Sequence, residues 1–98
     1  MSRADIHFIA ELESIVRTRM QQGSDQSYTA RLIASGTKRI AQKVGEEAVE
    51  LALAATSGSR QEIIDEAADL VYHLIVLLAD QDLSLGNVAE RLRTRHSG

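Results

Sequence analysis

The stretch EIIDEAADLVYHLIVLLA, residues 62–79, is apolar round nearly its whole circumference when wound as an α-helix. Ile63, Ile64, Leu70, Val71, Leu74, Ile75, Leu77 and Leu78 leave one narrow polar stripe of Glu62, Glu66, Asp69 and His73, at the three- and four-residue spacing of a helix face. A helix of this kind is normally buried, so its acidic stripe is expected to face a cleft rather than bulk water. The unbroken apolar run LVYHLIVLLA (70–79) is too short to span a bilayer.

The rest of the chain repeats the helical pattern. Proline is absent, and apolar residues recur at i, i+3 and i+4 throughout. The reading is all-α, a bundle of four to five helices. The first helix is expected to start after Asp5 as N-cap and to carry Ile6, Ile9, Leu12, Val16 and Met20 on one stripe. QQGSDQSY (21–28) then breaks it as a polar, flexible connection. A short helical piece from about Thr29 reaches Gly36, and a longer helix runs to about Thr56, ended by Ser57 and Gly58. Ser59 with Glu62 three positions on is the capping-box pattern for the next helix, which reaches about Ala79. DQDLS (80–84) turns the chain and Ser84 caps a last helix through about Arg93. The basic tail RLRTRHSG is expected to fray.

Ninety-eight residues make a single domain, 1–98, and a chain this size buries only roughly 60–65% of its unfolded surface. There is no cysteine to supply disulfides or a thiolate metal site. Association is the remaining way to enlarge the core. Val71, Leu74, Ile75 and Leu78 cover one side of the apolar helix, Tyr72 and Val76 the other, and one copy is not expected to bury both. A bundle completed as a homodimer, or a dimer of dimers, follows. The net charge of −3 argues against a nucleic-acid partner, because phosphate backbones select basic surfaces. The charged N-terminus MSRADIHFIAELES is not a signal peptide, so a cytoplasmic location without membrane attachment is expected.

A second acidic block, KVGEEAVELA (43–52), sets Glu47 and Glu50 on one stripe with Lys43. Residues 46–69 hold seven acids against one base, Arg60. Like charges at this spacing repel by roughly a few tenths of a kcal/mol per exposed pair, and by more once desolvated. A cation in that space relieves them. Oxygen-only ligands suit hard Mg²⁺, with Mn²⁺ as a substitute, and such sites leave positions open for substrate phosphates. Glu62 is spent on the capping box, which moves the metal register to Glu66 and Asp69. A second reading stays open, in which the acids are a solvated face and Lys43 simply pairs with Glu47. A di-iron site is excluded. It needs Glu-x-x-His on two helices, and His73 lies four residues past Asp69.

The assembled pattern is E-E-x-x-E (46–50), fifteen residues, then E-x-x-D (66–69). It resembles the signature of the all-α, MazG-like nucleoside triphosphate pyrophosphohydrolases. Ser27-Tyr28-Thr29, KVGEEAVE and ADLVYHL narrow the resemblance to the phosphoribosyl-ATP pyrophosphohydrolase family of histidine biosynthesis, over about Phe8 to Arg95. The resemblance implies a Mg²⁺-dependent enzyme that hydrolyses 1-(5-phosphoribosyl)-ATP to 1-(5-phosphoribosyl)-AMP and pyrophosphate. It implies Glu47, Glu50, Glu66 and Asp69 as metal ligands. Glu46 stands beside catalytic Glu47 as a further ligand or a water-orienting base. Related enzymes often carry a second, cyclohydrolase domain, and a stand-alone form is expected here.

Other residues are less constrained. Lys38 and Lys43, the only two lysines, and Arg39 lie just upstream of the acids and are candidates for holding the nucleotide's phosphates. Tyr28 and Thr29 either contact the substrate's base or ribose phosphate or order the loop. Arg17, Arg19 and Arg31 are undifferentiated phosphate candidates, and His73 reads as a partner for Asp69 or an interface residue. Gly45 inside a helix costs roughly 1 kcal/mol relative to alanine, which suggests close approach of a ligand or of another helix. Two rival functions remain: a house-cleaning (d)NTP pyrophosphohydrolase, and a non-catalytic dimerisation module indifferent to Mg²⁺.

Overall fold

The computed structural model describes residues 3–23 and 27–97, which form five helices and no strand. They are α1 (Arg3–Gln22), α2 (Tyr28–Ala34), α3 (Thr37–Ser57), α4 (Arg60–Asp80) and α5 (Leu85–His96). The all-α expectation holds, with the short helical piece as α2.

Only Gly58 and Ser59 join α3 to α4, so the two long helices run antiparallel and pack along their length. The turn is locally determined. The Gly58 N–H donates to the Ala54 carbonyl at 2.8 Å, and a Cβ on Gly58 would stand 2.9 Å from that same oxygen. Ser59 and Glu62 form the expected capping box: the Glu62 N–H donates to Ser59 Oγ at 3.1 Å and the Ser59 N–H to Glu62 Oε1 at 2.9 Å. At the open end of the hairpin, Thr37 Oγ1 donates to Asp80 Oδ2 at 2.7 Å.

The core draws Val16 from α1, Leu32 from α2, Ile40 from α3, and Ile75, Val76 and Ala79 from α4. Ile75 and Val76 are neighbours in sequence, about 100° apart round α4, and neither exposes any surface. Packing comes from α3 and from α1 and α2. Val71, Tyr72, Leu74 and Leu78 of the same helix stay only half-buried within one chain. Along α1, Ile9, Leu12 and Met20 pack against the core as expected, whereas Ile6 is exposed.

Three boundaries differ from the sequence reading. Helix α1 begins at Arg3, so Asp5 lies in its first turn, where a carboxylate still meets the positive end of the helix dipole. Tyr28 belongs to α2, with Ser27 as its N-cap accepting from the Ala30 N–H at 2.9 Å. Residues 24–26 of the expected connection lie outside the described residues. The basic tail stays helical through His96, because Arg93, Arg95 and His96 sit at the negative end of the α5 dipole.

The turn into α5 carries Asp82 at φ +58, the one non-glycine in the left-handed region among the described residues. Its N–H donates to the Ala79 carbonyl at 3.0 Å and the Leu83 N–H to the Leu78 carbonyl at 2.8 Å, which is the Schellman pattern normally closed by glycine. From α1, Glu13 Oε2 accepts the Leu85 N–H at 2.7 Å and the Arg17 guanidinium donates to the Leu83 carbonyl.

In urea unfolding, Ser59→Ala is expected to lower stability by about 1 kcal/mol through loss of the cap. Asp82→Gly should cause no loss, whereas Asp82→Val should lose about 1 kcal/mol or more, because a β-branched residue tolerates the left-handed region poorly.

Candidate metal centre

The hairpin sets Glu47 and Glu50 on α3 against Glu66 and Asp69 on α4. Carboxylate oxygens of Glu47, Glu66 and Asp69 lie within 4.8 Å of one another. Glu47 is buried at 7% exposure, Glu66 is half-buried and Asp69 is exposed, so the cluster deepens from a solvent mouth to a buried wall. Glu47 Oε2 and Glu66 Oε2 are both out of water and without a hydrogen-bond partner. Buried carboxylate oxygens without donors are strongly unfavourable unless a cation takes their place. Oxygen donors alone at this spacing, two of them orphaned, fit a hard divalent cation.

Glu66 registers the crowding. The neighbouring Glu50 carboxylate, which favours sharing a proton with it, burial, and the charges of Glu50, Asp69 and Glu47 together push its pKa up to about 7. Glu62 behaves in the opposite way, since its bonds with Ser59 lower its pKa. It caps α4 and stays outside the three-carboxylate group, to which α4 contributes Glu66 and Asp69.

Lys43 Nζ lies 3.5 Å from Glu47 Oε1 and 3.8 Å from Glu46 Oε1. The pairing foreseen for Lys43 therefore exists, but one ammonium does not balance four carboxylates. Glu46 accepts from Gln42 Nε2 at 3.1 Å and is not among the three carboxylates grouped within 4.8 Å. Lys38 and Arg39 are exposed in the first turn of α3. Arg39 precedes Glu47 by eight residues, about 80° round the helix, and stays on the acid side, whereas Lys38 is about 180° away and faces outward. The structure therefore does not bring Lys38 to the acids. An open cleft of about 300 Å³ beside the cluster is lined by Glu50, Leu53, Ala54, Asp65 and Glu66 among others.

Behind Asp69 lies a polar network. His73, 6% exposed, donates from Nδ1 to the Asp69 backbone carbonyl at 2.8 Å, and its Nε2 meets the Tyr28 hydroxyl at 3.1 Å. A carbonyl can only accept, so Nδ1 carries the proton, and in the neutral ring the phenol donates to Nε2. His73 is thus a partner of Asp69, but of its backbone, and the carboxylate stays free. Thr29 is buried and its hydroxyl bonds that of Tyr72, so Thr29 orders α2 and does not reach the cleft. The Tyr28 ring remains 45% exposed beside His73. Sequence reasoning missed Tyr72 as the partner of Thr29 and Arg17 as the anchor of Leu83. Nothing local marks partners 43 and 66 residues apart.

A family model described as phosphoribosyl-ATP pyrophosphohydrolase matches residues 9–96. A histidine biosynthesis bifunctional protein HisIE from Photobacterium profundum is 58% identical over 90 residues, 92% of this chain and 44% of its own length. Proteins of the same name from Shigella sonnei and Yersinia pestis are 60% and 57% identical, covering 91% and 95% of this chain and 44% and 46% of their own. The chain spans less than half the length of these relatives.

The Glu66 shift sets a pH dependence. With a folded-state pKa near 7 against an ordinary value of 4.5, the folded protein binds more protons than the unfolded chain between those values. Stability from this group is therefore present at pH 5 and lost as the pH rises toward 7. Glu62 titrates below that window. Without divalent metal, the thermal midpoint followed by circular dichroism should fall between pH 5 and pH 8, and Glu66→Gln should flatten that fall.

Proposed function

The chain belongs to the phosphoribosyl-ATP pyrophosphohydrolase family, and on that premise we propose that it hydrolyses phosphoribosyl-ATP to phosphoribosyl-AMP and pyrophosphate in histidine biosynthesis. The observation that carries the reading is the cluster of Glu47, Glu66 and Asp69 with two orphaned, buried oxygens. Glu50, across the mouth from Glu66, completes the ligand set for Mg²⁺, with Mn²⁺ as a substitute. When bound, such an ion neutralises charge on the leaving phosphate oxygens and acidifies the attacking water.

The chain's own residues do the rest. The fixed hairpin holds the ligand oxygens in place before substrate arrives, which is what electrostatic preorganisation requires. Glu46, next to Glu47 but outside the ligand set, takes the proton of the attacking water. Lys43 now leans on Glu46 and Glu47. It turns to a phosphate oxygen once those carboxylates are engaged, and Arg39 follows on the same side of α3. The exposed Tyr28 ring, held through His73 beside Asp69, receives the nucleotide base. The partner is a small-molecule nucleotide, and among the described residues no helix is long and apolar enough to cross a membrane.

Pyrophosphate release from phosphoribosyl-ATP with Mg²⁺, run beside dUTP, dCTP and ATP, tests the proposal. Turnover confined to phosphoribosyl-ATP is expected, and Glu47→Gln should lose more than roughly 100-fold, the upper range for groups that merely support a metal ligand. Turnover of a deoxynucleotide instead keeps the site and overturns the substrate. Independently of turnover, Mg²⁺ at 100 times its dissociation constant should stabilise the fold by about 2.7 kcal/mol, read as a rise in thermal midpoint. A flat response returns the acids to a solvated face.

A further inference from the structure

Phosphoribosyl-ATP differs from ATP at one end only. A second ribose phosphate sits on N1 of the purine, on the far side of the base from the ribose that carries the triphosphate. The molecule therefore runs in the order triphosphate, ribose, purine, ribose, phosphate. A site that selects it over ATP needs a group for the far phosphate, because contacts to the shared parts hold both nucleotides alike.

A matching order is laid out along α4. Asp69 belongs to the carboxylate cluster, and His73, one turn on, meets the Tyr28 hydroxyl at 3.1 Å. Asp80, seven residues past His73, accepts from Thr37 at 2.7 Å. Between Tyr28 and Thr37 the chain is α2 followed by Ser35 and Gly36. Helix α2 thus starts beside His73, ends near Asp80 and leads away from the cluster. Seven residues of either helix rise about 10 Å, which agrees with that course.

The buried residues of α2 are Thr29, Ala30 and Leu32. Arg31 stands on the opposite side and is exposed. It is about 60° round the helix from Tyr28 and about 4.5 Å beyond it along the axis. Residues three apart on a helix are neighbours. The exposed part of the Tyr28 ring and the Arg31 side chain therefore share one face, with Arg31 on the side away from the carboxylates. Of the three arginines that the sequence leaves undifferentiated, Arg17 is engaged with the Leu83 carbonyl and Arg19 belongs to α1. Arg31 is the one on the helix that carries Tyr28. A guanidinium binds a phosphate through paired N–H donors, more strongly than a neutral hydrogen bond does.

We infer that Arg31 binds the second, N1-linked ribose phosphate and is the residue by which this site selects phosphoribosyl-ATP over ATP. The order cluster, Tyr28, Arg31 on the protein then follows the order triphosphate, purine, phosphate on the substrate. The inference rests on the substrate reading above, and its test keeps the two apart.

The test uses products as well as substrate. Phosphoribosyl-AMP keeps the second phosphate, AMP lacks it, and neither carries the bond to be cleaved. In titration calorimetry with Mg²⁺, wild type should bind phosphoribosyl-AMP roughly 10- to 100-fold more tightly than AMP, the range for a hydrogen-bonded charged group. Arg31→Ala should lose that margin with its AMP affinity unchanged, and Arg31→Lys should recover part of it. In turnover, Arg31→Ala should raise the KM for phosphoribosyl-ATP by the same factor and keep kcat within about twofold, the mark of a contact made equally in ground and transition states. Arg91→Ala on α5 should change none of these. If wild type hydrolyses phosphoribosyl-ATP and Arg31→Ala matches it in affinity and KM, the inference falls and the substrate reading stands. A loss found with Arg19→Ala instead places the phosphate on α1, with the same consequence. Equal weakening of AMP and phosphoribosyl-AMP in Arg31→Ala marks a general effect on α2 and also overturns the inference. Wild type that leaves phosphoribosyl-ATP intact overturns the substrate reading, and the inference with it.

Discussion

Mutual repulsion among Glu47, Glu50, Glu66 and Asp69 at one seam of the α3–α4 hairpin is the constraint that the rest of the structure holds in check. Splaying the helices would relieve it. The Gly58–Ser59 link prevents this at one end and the Thr37–Asp80 bond opposes it at the other. Between them the fully buried Ile40 and Ile75 fix the packing of the two helices. Lys43 offsets only part of the charge. What remains appears as the raised proton affinity of Glu66. The field that draws a proton to Glu66 also draws a divalent cation, so the two compete for the same oxygens.

The back of the site depends on a helix that is not stable alone. Seven residues are too few for an isolated helix in water, so α2 relies on its tertiary partners. Ser27 caps it, Thr29 ties it to Tyr72, and Tyr28 ties it to His73. The same contacts brace α4 where Asp69 sits, through the His73 bond to the Asp69 carbonyl. The Ser27-Tyr28-Thr29 stretch thus divides its work. Its buried hydroxyl belongs to the fold, and its exposed ring is left for a ligand.

What could be read from the sequence is what local chemistry settles. The Ser59–Glu62 box spans three residues and fixes both the start of α4 and the register of the acids behind it. Helical phase then brings Glu47 and Glu50 to one edge of α3 and Glu66 and Asp69 to one edge of α4. What escaped the sequence depends on distant partners. Which residues of α4 the chain buries depends on where α1 and α2 fold back, and no periodicity encodes that. The same holds for Arg17, which holds the Leu83 carbonyl, and for Glu13 at the start of α5. Lys38 and Arg39, adjacent in sequence, part company for a different reason. One residue is about 100° of helix, enough to leave Arg39 beside the acids and carry Lys38 to the far face.

That angular division explains why the site sits where it does. Around α3, the inner face with Ile40 and Ala54 is packed against the hairpin, the edge with Glu47 and Glu50 carries the acids, and the outer face with Gly45 and Val49 is apolar and neutral. Glu47, at the margin of the packed inner face, is buried with it, whereas Glu50, on the outer side of the same edge, stays exposed. The dielectric around a carboxylate falls as it is buried, so the oxygens nearest the hairpin seam feel the strongest field. A lower dielectric strengthens both their repulsion when empty and their hold on a cation when filled, so packing of the inner face of α3 and the driving force for metal binding rise together.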